Sequence, residues 1–198
     1  RCDPNYRITF SDDSTLTLTS ELTRMRDELE RLEPGSFENY LRFLARGRDQ
    51  HDTAMQRFVT KHFDSLTQFV TPANLPHFFR IGAHQTLFGQ VSRAFSDPRL
   101  QQTMSFQTMY LGVSPFEAPA VFSLLPYTEL AHGIWFPRGG MYAIPLALER
   151  VCRELGVALH YQQPVKRVVV ENGRAVGVEL SSGEVKRADV VLCNADLP

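Results

Sequence analysis

Tyr6, Ile8 and Phe10 alternate with Arg7 and Thr9, Ser11-Asp12-Asp13-Ser14 supplies turn residues, and Leu16 and Leu18 alternate with threonines. This period of two predicts a β-hairpin. The period then lengthens. Leu22, Met25, Leu29 and Leu32 recur at helical spacing behind the candidate cap Ser20, and Pro34-Gly35 stops the helix. Ser36 is the candidate cap of a second helix with Phe37, Tyr40, Leu41 and Leu44 on one face, and Phe58, Val59, Phe63, Leu66 and Phe69 predict a third over 55–70, broken by Thr71-Pro72. Such stripes are what ordinary core packing requires.

LPHFFRIGAHQTLFGQV, from Leu75 to Val91, is apolar on several sides. A helix of that character is buried all round or turned toward lipid, and Phe78 and Phe79 are the candidates for the second role. Asp97-Pro98 starts a further helix, since Pro suits a first helical position. From Met104 to Tyr142 the chain combines apolar and aromatic density with Pro115, Pro119, Pro126 and Pro137, which break it into short pieces. That stretch shapes a surface more than it fills a core. Ile144, Leu148, Val151 and Leu155 then give a helix over 142–155 ended by Gly156, and Val157 to Tyr161 reads as a short strand.

The last forty residues change character. VKRVVVE, Asn172-Gly173, RAVGVEL, a Ser-Ser-Gly turn and EVKRADVVLCNAD predict a β-meander, with both residues of Asn172-Gly173 at positive φ. Val190, Val191 and Leu192 form a continuous apolar run of the kind found in a strand covered on both faces.

Composition narrows the function classes. The net charge is −1, from 21 basic and 22 acidic residues that are intermixed, so nucleic acid is not an expected partner. Fourteen Phe with Trp135 supply flat apolar area suited to a core or to an elongated apolar ligand. Cys2, Cys152 and Cys193 lack a CxxC pair, which argues against a disulfide framework and a zinc site and for a reducing compartment. No apolar run reaches the roughly 20 residues that span a bilayer. The chain opens RCDPNYRITF without a signal-peptide pattern, and it reads as a piece of a longer polypeptide.

Catalytic signatures are sparse. No GxSxG, HxxxH, HExxH or GxGxxG occurs, so nucleophilic, metal-assisted and self-contained dinucleotide chemistry have no sequence support, and metal binding is not expected. Arg138-Gly139-Gly140 precedes a helix: it is a tight turn or a place where backbone N–H groups approach a ligand. Asp196 follows the apolar run and is either a helix cap or a polar contact at a sheet's carboxyl end.

MSFQTMYLGVSPFEAPAVFSLLPYTELAHGIWFPRGGMYAI, together with RCDPNYRI, LERLEPGSFENYLRFL, NLPHFF, FSDPRL and the closing ADVVLCNAD, resembles the bacterial and fungal phytoene desaturases, especially the fungal type. The resemblance covers nearly all of the chain. It implies an α+β fold of the FAD-dependent amine-oxidase-like kind: a substrate-binding domain of β-hairpin and helices over 1–155, with a strand near 134–136, and part of the FAD-binding domain over 156–198, a β-meander and buried strand. It also implies FAD as cofactor and desaturation of phytoene or a related carotenoid by hydride transfer to the flavin. A peripheral position on the cytoplasmic face of a membrane and an electron acceptor such as quinone or oxygen follow from the same resemblance. Val165, Asn194, Ala195 and Asp196 then fall near the cofactor. Trp135, Phe136, Pro137, Arg138, Gly139 and Gly140 fall where the substrate tunnel meets the flavin, and no catalytic acid or base is named. The other readings are a further polyene or isoprenoid oxidoreductase or isomerase, of carotenoid isomerase or retinol saturase kind, and a non-catalytic apolar-ligand or membrane-surface module.

Overall fold

The computed structural model describes residues 1–65, 68 and 71–195. It divides into two compact units, 1–136 and 137–198. The helix following Gly140 therefore belongs with the meander, where the sequence placed the boundary at 155/156.

In the first unit the expected hairpin forms: β1 (Tyr6–Thr9) pairs antiparallel with β2 (Thr15–Leu18), Tyr6 opposite Leu18. Leu16 and Leu18 point into the core and are fully buried. Helix α1 (Leu22–Leu32) follows, but its cap is Glu21, not Ser20. The Glu21 carboxylate accepts from the N–H groups of Thr23 and Arg24 at 3.1 and 2.7 Å, while the Ser20 hydroxyl accepts from Asn5 Nδ2. Helix α1 also closes the outer edge of β2. Thr17 N–H donates to Glu28 Oε2 at 3.1 Å, and Arg31 Nη2 donates to the Thr15 carbonyl at 2.6 Å.

Helix α2 (Ser36–Ala54) is capped by Gly35 at φ +84°, with Ser36 as its first residue. Its buried stripe is Tyr40, Phe43, Gly47, Gln50 and Ala54, whereas Leu41, expected inside, is exposed. The reason is that two core positions are not apolar-looking. Gly47 lets α6 (Leu124–His132) approach so closely that an added Cβ would lie 2.7 Å from that of Tyr127. Gln50 donates to the Ile81 carbonyl at 2.8 Å and to Gln90 Oε1 at 3.1 Å, and accepts from Ser123 Oγ. Buried amides are tolerated when satisfied in this way.

The expected helix over 55–70 is replaced at its start by a π-helical turn, Met55–Val59, which ends where Thr60 N–H and Oγ1 both donate to the Met55 carbonyl. Phe63 lies outside regular structure. Leu66 and Phe69 lie outside the described residues. The greasy 75–91 stretch is two helices, α3 (Leu75–Arg80) and α4 (Leu87–Ala94), separated at Gly82, whose φ is +74°. Thr86 caps α4 through the Gly89 N–H, and Asp97 caps α5 (Pro98–Thr103) with Pro98 at its first position, as expected.

The 104–142 stretch resolves into 3₁₀ turns at Phe106–Leu111 and Ala120–Ser123, then α6. No strand forms at 134–136. Those residues lie outside regular structure, and the Cys2 N–H donates to the Ile134 carbonyl at 2.7 Å. The core gathers Leu16, Leu18, Met25, Leu29, Tyr40, Phe43, Leu87, Val91, Phe95, Leu100, Met104 and Leu130, with Phe43 and Phe95 packed edge to face.

The second unit contains α7 (Ala143–Glu154) and an antiparallel meander of β3 (Val165–Glu171), β4 (Arg174–Leu180) and β5 (Val185–Arg187) in that order. Asn172 and Gly173 take φ of 50° and 78°, as the hairpin demands. The predicted strands at 157–161 and 190–192 are absent, and Leu192 is 91% exposed. A strand needs a hydrogen-bonded neighbour, and among the described residues neither segment has one.

Candidate functional site

The substrate-side residues predicted from sequence sit in two adjoining pieces of chain, one in each unit. At the end of the first unit, Gly133 closes α6 at φ +80°, and Trp135 and Phe136 project at 71% and 59% exposure. The Trp135 indole N–H donates to the His132 carbonyl at 3.2 Å, which fixes the ring while leaving its face open. At the start of the second unit, the Gly140 N–H donates to the Pro137 carbonyl at 3.1 Å and closes Pro137–Gly140 into a turn. Gly139 and Gly140 have φ of 87° and 91°, and nothing lies within 4 Å of where a Cβ on Gly140 would stand. The Ala143 N–H donates to the Gly140 carbonyl, so the turn leads straight into α7. The segment is thus a tight turn and also an accessible backbone. Arg138 is exposed and forms no ion pair among the described residues.

Of the cofactor-side residues, Val165 opens β3, an edge strand of the meander, and is half-exposed. Asn194 and Ala195 are exposed, outside regular structure. No hydrogen bond among the described residues joins Val165 to either of them. Asp196 lies outside the described residues.

One polar cluster gave no sequence signal. Tyr6 Oη donates to Glu129 Oε1 at 3.0 Å and shares a 2.6 Å hydrogen bond with Tyr110 Oη, while Gln107 Nε2 donates to Glu129 Oε2 at 3.4 Å. Burial first, then the bonds to Tyr110 and Glu129, pushes the Tyr6 phenol far above its ordinary range, and burial raises Tyr110 as well. Both phenols are therefore neutral donors at any physiological pH. The cluster joins β1, the first 3₁₀ turn and α6, segments more than a hundred residues apart at the extremes, so no local spacing announces it. Along the same stretch of chain Met109, Tyr110, Leu111 and Phe116 are exposed, while Met104 and Gln107 are buried. Within the first unit, the 104–142 stretch accordingly presents an open apolar surface.

Comparison with known proteins decides the family. The sequence profile of the flavin containing amine oxidoreductases matches residues 75–198. The chain belongs to that family. The chain is 55% identical, over all of its 198 residues, to a zeta-carotene-forming phytoene desaturase of Myxococcus xanthus, of which it covers 38%. It is 37% identical over its whole length to a phytoene desaturase of Neurospora crassa, covering 34% of it. Over 98% of its length it is 36% identical to an all-trans-zeta-carotene desaturase of Myxococcus xanthus, covering 37% of that protein. The chain thus spans a little over a third of these curated relatives.

The mixed helical and strand architecture is consistent with a flavin amine oxidoreductase, and family membership implies a flavin cofactor. The residues present fit a share of such a site. Gly139 and Gly140 leave backbone that a planar ring system can approach, and Val165 stands on an open sheet edge with no charge of its own. Among the described residues no helix is long and apolar enough to cross a membrane, and no group of three His, Cys, Asp or Glu could hold a metal ion.

Proposed function

We propose that this chain is the substrate-binding portion, with part of the flavin-binding portion, of an FAD-dependent desaturase acting on phytoene or a closely related carotenoid. The observation that carries the reading is the open apolar surface of the 104–142 stretch in the first unit, where Met109, Leu111, Phe116, Trp135 and Phe136 are exposed instead of joining the core beside them. A forty-carbon polyene offers almost no hydrogen-bonding groups, so it is held by apolar area at roughly 25 cal/mol per Å² buried. The names of the relatives, phytoene and zeta-carotene desaturases, support the same substrate class.

Flavin, when bound, supplies a hydride acceptor for an allylic carbon, with a proton leaving the neighbouring carbon. In this chain Trp135 and Phe136 would hold the polyene and exclude water. Pro137 to Gly140 would let backbone approach the reacting end, with Arg138 at the turn. Val165, Asn194, Ala195 and Asp196 would contribute to the FAD side. Leu75, Phe78 and Phe79 would rest on a membrane surface from which substrate is drawn, the protein being peripheral on the cytoplasmic face, with quinone or oxygen as electron acceptor.

The test is the complete polypeptide, purified with FAD and given phytoene in liposomes. Desaturated products are expected by chromatography. None forming, while a known desaturase works in the same assay, overturns the substrate assignment.

A further inference from the structure

Two helices of the first unit set three arginines around one cleft. On α2, Asn39, Arg42, Phe43 and Arg46 share a face at i, i+3, i+4 and i+7, and on α4 Gln90 and Arg93 do the same at i and i+3. Together with Ala94 they line a cleft of about 240 Å³. Phe43 and Gln90 make a buried floor, and the three guanidinium-bearing residues stand exposed at the rim. Their charge is only partly answered. Arg42 pairs with Glu38, but Arg46 forms no ion pair among the described residues, and Arg93 donates to the neutral Gln85 Oε1 at 2.7 Å. Asp49 feels the charge of Arg46, yet its carboxylate is gripped by Arg80, whose Nε lies 2.9 and 3.1 Å from its two oxygens, and this holds it below the ordinary carboxylate range.

A chain of side-chain contacts leads from the cleft to the apolar surface of α3. Gln85, which receives Arg93, lies 2.8 Å from His84 Nε2, and the His84 ring packs on Phe79 with centroids 5.4 Å apart. His84 and Phe79 in turn line an apolar hollow with Leu75, Phe78 and Ala83. Leu75 and Phe79 are exposed there. Only partly compensated guanidiniums, linked through Gln85 and His84 to an exposed apolar hollow, form an amphipathic pair of surfaces. Guanidinium forks match phosphate oxygens two at a time, and arginines near a membrane surface attract anionic headgroups.

We propose that the Arg42, Arg46 and Arg93 cleft is a headgroup site for an anionic phospholipid, which seats its phosphate on the three arginines while Leu75 and Phe79 enter the acyl region. The proposal rests on the membrane-surface reading above and adds lipid selectivity to it. Inorganic phosphate shares the headgroup's chemistry but has nothing to place in the adjoining hollow.

The test is flotation of the complete polypeptide with vesicles of phosphatidylcholine alone and with vesicles containing about one third phosphatidylglycerol. Partitioning is expected to be at least about fivefold stronger on the anionic vesicles. Arg46→Gln with Arg93→Gln is expected to bring partitioning on the two vesicle types to within about twofold of each other, whereas Arg26→Gln with Arg48→Gln, the same loss of charge elsewhere in the unit, preserves most of the preference. Equal flotation on both vesicle types, or equal losses from the two double variants, overturns the headgroup site and leaves membrane association standing. Flotation on neither type overturns both. Release from anionic vesicles by inorganic phosphate well beyond that by chloride at matched ionic strength reassigns the cleft to free phosphate and also overturns the lipid proposal.

Discussion

Helices α1 and α7 carry the same kind of amphipathic stripe and meet opposite fates. In the first unit Met25 and Leu29 of α1 are fully buried, under Leu16 and Leu18 of the hairpin. In the second, Ile144, Leu148 and Val151 of α7 and Leu155 at its C-terminal cap are all exposed, and among that unit's described residues only Gly177 and Leu180 are buried. An apolar stripe states that a face seeks cover without saying what covers it. The first unit supplies its own cover from the hairpin, α2, α4 and α6. The second holds together chiefly through backbone pairing in the meander.

The contrast can be pressed hardest in the core. Leu29→Ala should cost about 3–5 kcal/mol by removing a buried side chain and leaving a cavity, while Leu148→Ala should change stability by no more than about 0.5 kcal/mol, both read by urea unfolding of the chain. Comparable losses would show that α7 is covered in solution.

Next comes Gly177, which holds β5 close: at φ +155° an added Cβ would lie 2.2 Å from the Lys186 carbonyl oxygen. Gly177→Ala should cost about 2–3 kcal/mol and strip hydrogen-exchange protection from β4 and β5 while leaving the first unit's amides unchanged. Loss of protection throughout would mean that the two units unfold as one.

A smaller effect is expected at the caps. Thr86→Ala removes the acceptor for Gly89 N–H and should destabilise the first unit by about 1 kcal/mol, measured by thermal unfolding.

The smallest expected effect is a pH dependence. Arg99 holds the Asp97 carboxyl below its ordinary range. The unfolded chain therefore binds that proton more readily than the folded one. The contribution of Asp97 is complete at neutral pH and fades as pH falls through the usual carboxylate value toward the lower folded one. Asp97→Asn should flatten that part of the acid unfolding curve. An unchanged curve would place the acid sensitivity of the first unit elsewhere.

Much of the fold was legible. The first hairpin followed from alternation between Tyr6 and Leu18, and the Asn172-Gly173 turn from its need for positive φ. The α2 stripe was misread because Gly47 and Gln50 are core residues that apolar counting passes over. The run 190–192 has a strand's pattern, but a pattern cannot create a pairing partner. Of the candidate site, the Pro137–Gly140 turn was visible as paired glycines before a helix. The Tyr6, Gln107, Tyr110 and Glu129 cluster was invisible because its members meet only when three distant segments pack.

The sequence by itself determined most of the local elements and the family, because periodicity, turn chemistry and long matching blocks are properties of neighbouring positions. Tertiary structure alone decided which apolar stripes are covered, which carboxylate collects Tyr6, Tyr110 and Gln107, and which three arginines surround one cleft. Those outcomes depend on helices and strands from distant parts of the chain coming within a few ångströms, and no local pattern encodes that distance.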